Sequence, residues 1–122
     1  MKKEYLYLLQ SLSNKKIFKI GVSKNIDQRL KTLQNTSAAG VKLIYLFEVK
    51  DMFKEEAYLK NWFRRHNTNG EWYELITVCR DVYSYKILEA IGKMYEKYIL
   101  YGKHNLDFFE RKIEEDGIQF KR

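Results

Sequence analysis

The 122-residue chain contains a single cysteine, two histidines and no proline. One thiol can form neither an intrachain disulfide nor a thiolate zinc site, and we expect Cys79 to be buried. His66 and His104 lack the spacing of a metal-binding pair, which leaves carboxylates as the ligands for any ion. No apolar run approaches the roughly 20 residues that span a bilayer. A soluble, cytoplasmic protein without proline-rich linkers is therefore expected.

Positive charge and aromatic side chains are abundant. Lysine and arginine outnumber acidic residues by 23 to 16, which gives a formal net charge of +7, and 16% of residues are aromatic. Basic side chains that face phosphates release condensed counterions, and aromatic rings can stack on unpaired bases. The composition favours a polyanionic partner, although an ordinary tyrosine-rich soluble protein would also fit it. The length suits one small domain.

Hydrophobic patterning predicts the order of the elements. Residues 4–10 and 16–22 are rich in strand-forming residues and are joined by a hairpin-like loop, and residues 41–50 predict a strand covered on both faces. Helical spacing of apolar residues starts near a capping-box pattern at Asn25 and predicts a first helix, and a second helix follows over residues 52–66. From residue 77 to about residue 101, apolar positions recur at steps of three or four, which predicts one long amphipathic helix.

These elements predict an α/β (α+β) fold. We expect a small three-stranded antiparallel sheet flanked by helices, with a C-terminal helical extension. Residues 1–76 would form the core, and residues 77–122 would pack on it, form a dimer seam or contact DNA. Packing on the core is the default, because a basic exposed helix face is usually only solvated.

Arg29 lies on the border of an apolar helix face, three residues after Ile26 and four before Leu33. An arginine stays charged at ordinary pH and is costly to bury without an anion. That anion could be a ligand. Alternatively, the side chain could pair with a local acid such as Asp27, or extend to water.

Glu56 interrupts the apolar stripe of the second predicted helix, which is formed by Met52, Leu59 and Phe63. A carboxylate in such a position needs a partner, and magnesium is the natural cation for an oxygen ligand. Glu55 is a rival one position away. Pairing of Glu56 with Lys60 on a solvated face is the alternative without a ligand.

Several segments in chain order carry a resemblance to a known family. They are residues 5–7 (YLY), residues 19–21 (KIG), Arg29, and a helical glutamate followed by residues 70–75 (GEWYEL). The arrangement resembles the GIY-YIG nuclease superfamily, and within it the small branch of phage T5 orf172-type and Mug113-type domains. The similarity extends over residues 4–75.

The resemblance implies a role for each of four residues. Tyr7 would be the general base that takes a proton from the attacking water, directly or through a second water. Lys19 stands where the superfamily has a tyrosine, and it would orient Tyr7 or the phosphate, or lower the pKa of the phenol. Arg29 would hold two phosphate oxygens and stabilise the charge of the transition state. Glu56 would bind one largely hydrated Mg²⁺, or Mn²⁺, that activates the leaving oxygen.

Other residues are expected to bind substrate. Gly21 has no side chain, which would let a phosphate approach the sheet closely, and Lys24 would contact the substrate nearby. Asn67 and Asn69 fall where the superfamily has an asparagine near the scissile phosphate, but their segment equally predicts an ordinary turn. Glu71 could support the site or cap that turn.

The resemblance implies metal-dependent hydrolysis of DNA phosphodiester bonds, with DNA as the partner. Two alternatives stay open from the residues alone. One is a nucleic-acid-binding module of the same fold that cleaves slowly or not at all, in keeping with two departures from the family pattern, Lys19 and also Lys60, where the branch often has a histidine. The other is a protein-interaction adaptor that uses the predicted C-terminal helix, through which a homodimer could also form.

Overall fold

Eight β-strands and three α-helices form the described part of the chain, which in this computed structural model is residues 2–36, 39–80 and 82–102. The strands are β1 (Glu4–Ser11), β2 (Ile17–Ser23), β3 (Val41–Val49), β4 (Asn67–Asn69), β5 (Trp72–Glu74), β6 (Thr77–Cys79), β7 (Val82–Ser84) and β8 (Ile99–Tyr101). The helices are α1 (Ile26–Thr36), α2 (Met52–Trp62) and α3 (Lys86–Met94), and 3₁₀ turns form at Arg64–His66 and Glu96–Tyr98.

The strands form a six-stranded antiparallel sheet and a separate hairpin. The sheet order is β4-β5-β2-β1-β3-β8, and β6 pairs only with β7. The prediction of a small three-stranded sheet is therefore wrong. The three predicted strands are the long ones at its centre, β2, β1 and β3. The additional strands have three residues each, which is too short to show an alternating pattern in the sequence.

The sheet separates two apolar clusters. Along β1, Leu6 and Leu8 face the larger core under α2 and α3, whereas Tyr7 and Leu9 face a smaller cluster covered by α1. A bulge in β3 leaves Ile44 unpaired, because Leu8 faces Tyr45 and Leu9 faces Leu43. Both faces of β3 are covered, as predicted, because Tyr45 and Phe47 join the larger core and Val41 joins the smaller cluster.

The prediction of one long helix after residue 76 is wrong. β6 and β7, which contain β-branched and aromatic residues, pair with each other in antiparallel fashion, and Arg80 adopts a left-handed conformation with φ of 52°, which is incompatible with a regular helix there. Cys79 lies in this hairpin and is exposed, not buried. The helix prediction for residues beyond 102 lies outside the described residues.

The apolar side of α3 is covered by the sheet of the same chain. Leu88 and Ile91 are fully buried in the larger core, and β8 pairs with β3. The homodimer seam expected on this helix therefore lacks an exposed apolar helix face. Within the described ranges, no helix is both long and apolar enough to cross a membrane.

Candidate active site

An open cavity of about 410 Å³ lies where β1, β2, α1 and α2 meet. It brings together five of the residues expected from the sequence, which are Tyr7, Gly21, Lys24, Arg29 and Glu56. Glu71 and the exposed ring of Phe53 also line it. Residues from four separate elements therefore converge on one cavity.

Strand pairing fixes the position of Tyr7. Tyr7 on β1 faces Gly21 on β2, and a Cβ added at Gly21 would overlap the end of the Tyr7 ring. The ring is 2% exposed and packs in the smaller cluster beside Leu9 and Val41. Glycine is thus required at position 21 to seat the phenol. The ring of Tyr7 fills the space where a side chain at position 21 would lie, and Gly21 itself lines the cavity.

The Tyr7 hydroxyl is harder to ionise than expected. Burial raises the pKa of Tyr7 to about 12; the charge of Arg29 opposes this shift, and the carboxylates of Glu71 and Glu56 add to it. Lowering of this pKa was one of the roles expected for Lys19, but Lys19 is not among the charges that shift it. Instead, the Lys19 ammonium lies 2.7 Å from Glu71 Oε2 and above the ring of Trp72, so its charge is already paired.

Helix α1 presents Arg29 to the cavity. The helix starts after Asn25, whose Oδ1 accepts from the Gln28 N–H at 3.4 Å, and Arg29 lies in its first turn. Arg29 is exposed, and among the described residues it forms no ion pair, including with Asp27. Lys24, just before the helix, is exposed and equally without an ion pair in this part of the chain. Both cations are available to an incoming anion.

Four charged side chains form a chain of ion pairs beside the cavity, and two of them, Glu56 and Glu71, line it. Lys19 pairs with Glu71, and the Lys60 Nζ lies 3.2 Å from both Glu71 Oε1 and Glu56 Oε2. Burial alone would raise the pKa of the Glu71 carboxyl, but hydrogen bonds from Lys19 and Lys60 lower it. Burial likewise disfavours the Lys60 ammonium, yet hydrogen bonds to Glu56 and Glu71 outweigh it and raise the pKa of Lys60.

The structure separates Glu56 from its rival. Helix α2 is capped by Asp51, which accepts from the Lys54 N–H at 3.2 Å. Glu56 reaches the cavity from this helix, whereas Glu55 accepts a hydrogen bond from the Tyr95 hydroxyl at 3.2 Å and does not line the cavity. Of the two glutamates, Glu56 is therefore the one whose side chain lines the cavity.

The carboxylates of Glu56 and Glu71 already bracket one cation, the Lys60 ammonium. Their hard oxygen donors suit Mg²⁺ or Mn²⁺. Within the described ranges no cluster of three or more His, Cys, Asp or Glu side chains could hold a metal ion. With only these two carboxylates as protein ligands, a divalent ion held here would keep most of its water, and a lysine stands beside that position.

Asn67 and Asn69 do not line the cavity. The Asn67 amide donates to the carbonyl oxygens of Gly70 at 2.8 Å and Trp72 at 3.1 Å. Gly70 has a φ of 57°, as the turn between β4 and β5 requires. These contacts place Asn67 in an ordinary turn, which was the preferred interpretation of this segment from its sequence.

The sequence analysis missed that Glu71 holds two lysines at once. Glu71 comes directly before β5, and Lys19 on β2 faces Trp72 on β5, so strand pairing brings the two charges together. Because β5 has three residues, its pairing with β2 could not be read from the pattern. The sequence shows that residue 71 is acidic, but it does not show that Lys19 and Lys60 are its partners.

The structure is mostly sheet, and its open polar cavity is lined by a phenol, two carboxylates and two cations that form no ion pair with any described residue. Residues 4–95 match the T5orf172 domain, so the chain belongs to the T5orf172 domain family, which is related to nuclease-type domains and associated with endonuclease-like proteins. The match extends beyond the expected limit near residue 75 and includes α3. No curated protein and no solved structure matches the chain.

Proposed function

We propose that this protein is a metal-dependent endonuclease of the GIY-YIG type that hydrolyses phosphodiester bonds in DNA. The observation that carries the proposal is the convergence of Tyr7, Arg29 and Glu56, from three different elements, on one open cavity. Membership of a family related to nuclease-type domains supports the same conclusion.

Arg29 and Lys24 would hold the scissile phosphate. Both are exposed at the cavity, and neither is neutralised by an acid in the described part of the chain. The guanidinium plane can donate to two phosphate oxygens at once, so Arg29 would also stabilise the charge that develops during hydrolysis. The net charge of +7 would attract DNA to this surface.

Tyr7 would accept a proton from the attacking water. Its hydroxyl lies in the cavity wall, while its ring is fixed by Gly21 and the smaller apolar cluster. With a pKa of about 12, only a small fraction of Tyr7 is phenolate near neutral pH. Bound phosphate would pair with Arg29. Cleavage should become faster as the pH rises from 7 toward 10, because a larger fraction of Tyr7 is then phenolate.

Glu56 would hold the metal ion, with Glu71 as the second nearby carboxylate. A bound Mg²⁺ or Mn²⁺ would supply electrostatic stabilisation of the leaving oxygen. The side chain of Glu56 is 19% exposed and lines the cavity, so solvent and a hydrated metal ion can reach it.

A second function is favoured by one observation. Lys60 already neutralises the Glu56 carboxylate, and Glu71 neutralises Lys19. If this arrangement persists with DNA bound, the cavity binds phosphate through Arg29 and Lys24 without a metal ion. The protein would then be a nucleic-acid-binding module that does not cleave.

Nicking of supercoiled plasmid, with Mg²⁺, with Mn²⁺ and with EDTA, tests the proposal. The parent should convert supercoiled plasmid to open circles only with metal present. Glu56→Gln should lose this activity, because the ligand loses its charge while its shape is kept. Glu89→Gln is the matched control, since Glu89 pairs with Lys93 at the same i,i+4 spacing on α3, away from the cavity.

Equal nicking by the parent and Glu56→Gln would contradict the proposal by assigning the activity to another site or a contaminant. Retardation of the plasmid in a gel without nicking, lost at high salt, would favour the binding module.

A further inference from the structure

We propose that Lys60 is a tethered cation that competes with a divalent metal ion for Glu56, and so sets the metal affinity of the site. The inference rests on the proposed function in one respect, which is that the metal ion binds at Glu56. It adds a positioning residue that acts through the metal ligand.

The position of the Lys60 ammonium carries the argument. Its Nζ lies 3.2 Å from a carboxylate oxygen of Glu56 and 3.2 Å from one of Glu71. Both carboxylates also line the cavity, so a metal ion that binds Glu56 would lie close to this ammonium. A divalent ion on the same Glu56 oxygens would repel the ammonium.

Glu71 would keep the Lys60 ammonium paired after a metal ion displaced it from Glu56. Lys60 holds two carboxylates, so loss of the Glu56 contact still leaves its hydrogen bond to Glu71. Glu71 also binds Lys19 at 2.7 Å, which fixes the carboxylate in place. Metal entry would therefore exchange one ion pair without leaving a charge unpaired in a partly buried wall.

The tether makes this competition stronger than that of a surface lysine. Lys60 is one helical turn from Glu56 on α2, and its side chain is only 25% exposed. Lys93 and Glu89 have the same i,i+4 spacing on α3, but they are 3.8 Å apart and the lysine side chain is 65% exposed. This second pair provides a matched control on another helix.

Direct Mn²⁺ binding to the full chain without DNA, measured by electron paramagnetic resonance of the free ion, tests the proposal. We expect Lys60→Gln to bind Mn²⁺ roughly tenfold more tightly than the parent, because a charge-assisted competitor is removed from a partly exposed site. Lys93→Gln should bind as the parent does. Unchanged or weaker binding by Lys60→Gln would overturn the proposal.

A double variant assigns the gain to Glu56. Glu56→Gln combined with Lys60→Gln should lose the added affinity, whereas retention of tight binding would place the ion elsewhere and contradict the proposal. Circular dichroism should show that each variant is folded, and Lys60→Met offers a second neutral side chain of similar length if the glutamine variant is not.

The outcomes for the two proposals can be distinguished. If the parent does not nick DNA but Lys60→Gln still gains Mn²⁺ affinity through Glu56, the nuclease proposal fails and the competition by Lys60 stands. If the parent nicks DNA but Lys60→Gln gains no affinity, the nuclease proposal stands and the role of Lys60 is refuted.

Discussion

The two faces of the β1–β2 pair differ in what they bury, although they are built from the same strands. On one face, Leu8 and Ile20 join the larger apolar core. On the other face, Tyr7 packs against Gly21, and Lys19 next along β2 holds Glu71. One face therefore belongs to the larger core, and the other combines the smaller apolar cluster with the polar groups of the candidate site.

The difference follows from the period of two in a strand. Alternate residues point to opposite faces, so a short hairpin can present an apolar set and a polar set at once. Substitutions on the two faces should accordingly have different consequences. Truncations in the larger core should change the free energy of unfolding, and substitutions in the cavity should change activity.

The largest expected effect is on stability, in the larger core. Leu88→Ala removes a fully buried side chain of α3 and should lower the free energy of unfolding by about 2–5 kcal/mol. Urea denaturation followed by circular dichroism measures this change. Nicking per folded molecule should stay near that of the parent, and a loss of activity in the folded variant would show that the two faces are not separable.

The next effect is on activity, with no change in stability. Arg29→Ala should lower the nicking rate by about 100- to 1000-fold, as for removal of one group that stabilises transition-state charge. Arg29 is exposed and forms no ion pair within the described residues, so the free energy of unfolding should change by less than about 0.5 kcal/mol. Lys31→Ala, an exposed residue on the same helix, is the control. A matching loss in Lys31→Ala would indicate a general effect of charge.

The smallest effect is a pH dependence of stability through Glu71. Its pKa is lowered in the folded protein, so its ion pairs contribute stability above its usual value of 4.5 that is lost as the pH falls through the folded-state value. Glu71→Gln should therefore be slightly less stable than the parent near pH 7 and equal to it in acid. A constant difference across this range would show that the ion pairs do not titrate as described.

The centre of the sheet and most of the cavity could be predicted from the sequence. Long runs of strand-forming residues marked β1, β2 and β3, and helical spacing marked α1 and α2. Tyr7, Arg29 and Glu56 carried recognisable spacing and do line one cavity. Arg29 in particular was expected on a helix border, and it is exposed there.

The remainder depends on contacts between distant residues. The prediction of a long C-terminal helix failed because apolar residues at steps of three or four also fit a hairpin, a short helix and an edge strand that cover one core. The raised pKa of Tyr7 arises from burial and from Glu71, whose position is set by the three-residue strand β5. No local pattern reports such a contact.

Tyr7→Phe tests the central claim most directly, because Tyr7 packs in an apolar cluster while its hydroxyl belongs to the candidate site. Nicking of supercoiled plasmid and urea denaturation would be measured on the same preparation. The account predicts a fall in nicking of about 100-fold or more with the ring packing retained, and a change in unfolding free energy below about 1 kcal/mol. Parent-like nicking by a folded Tyr7→Phe variant would contradict it.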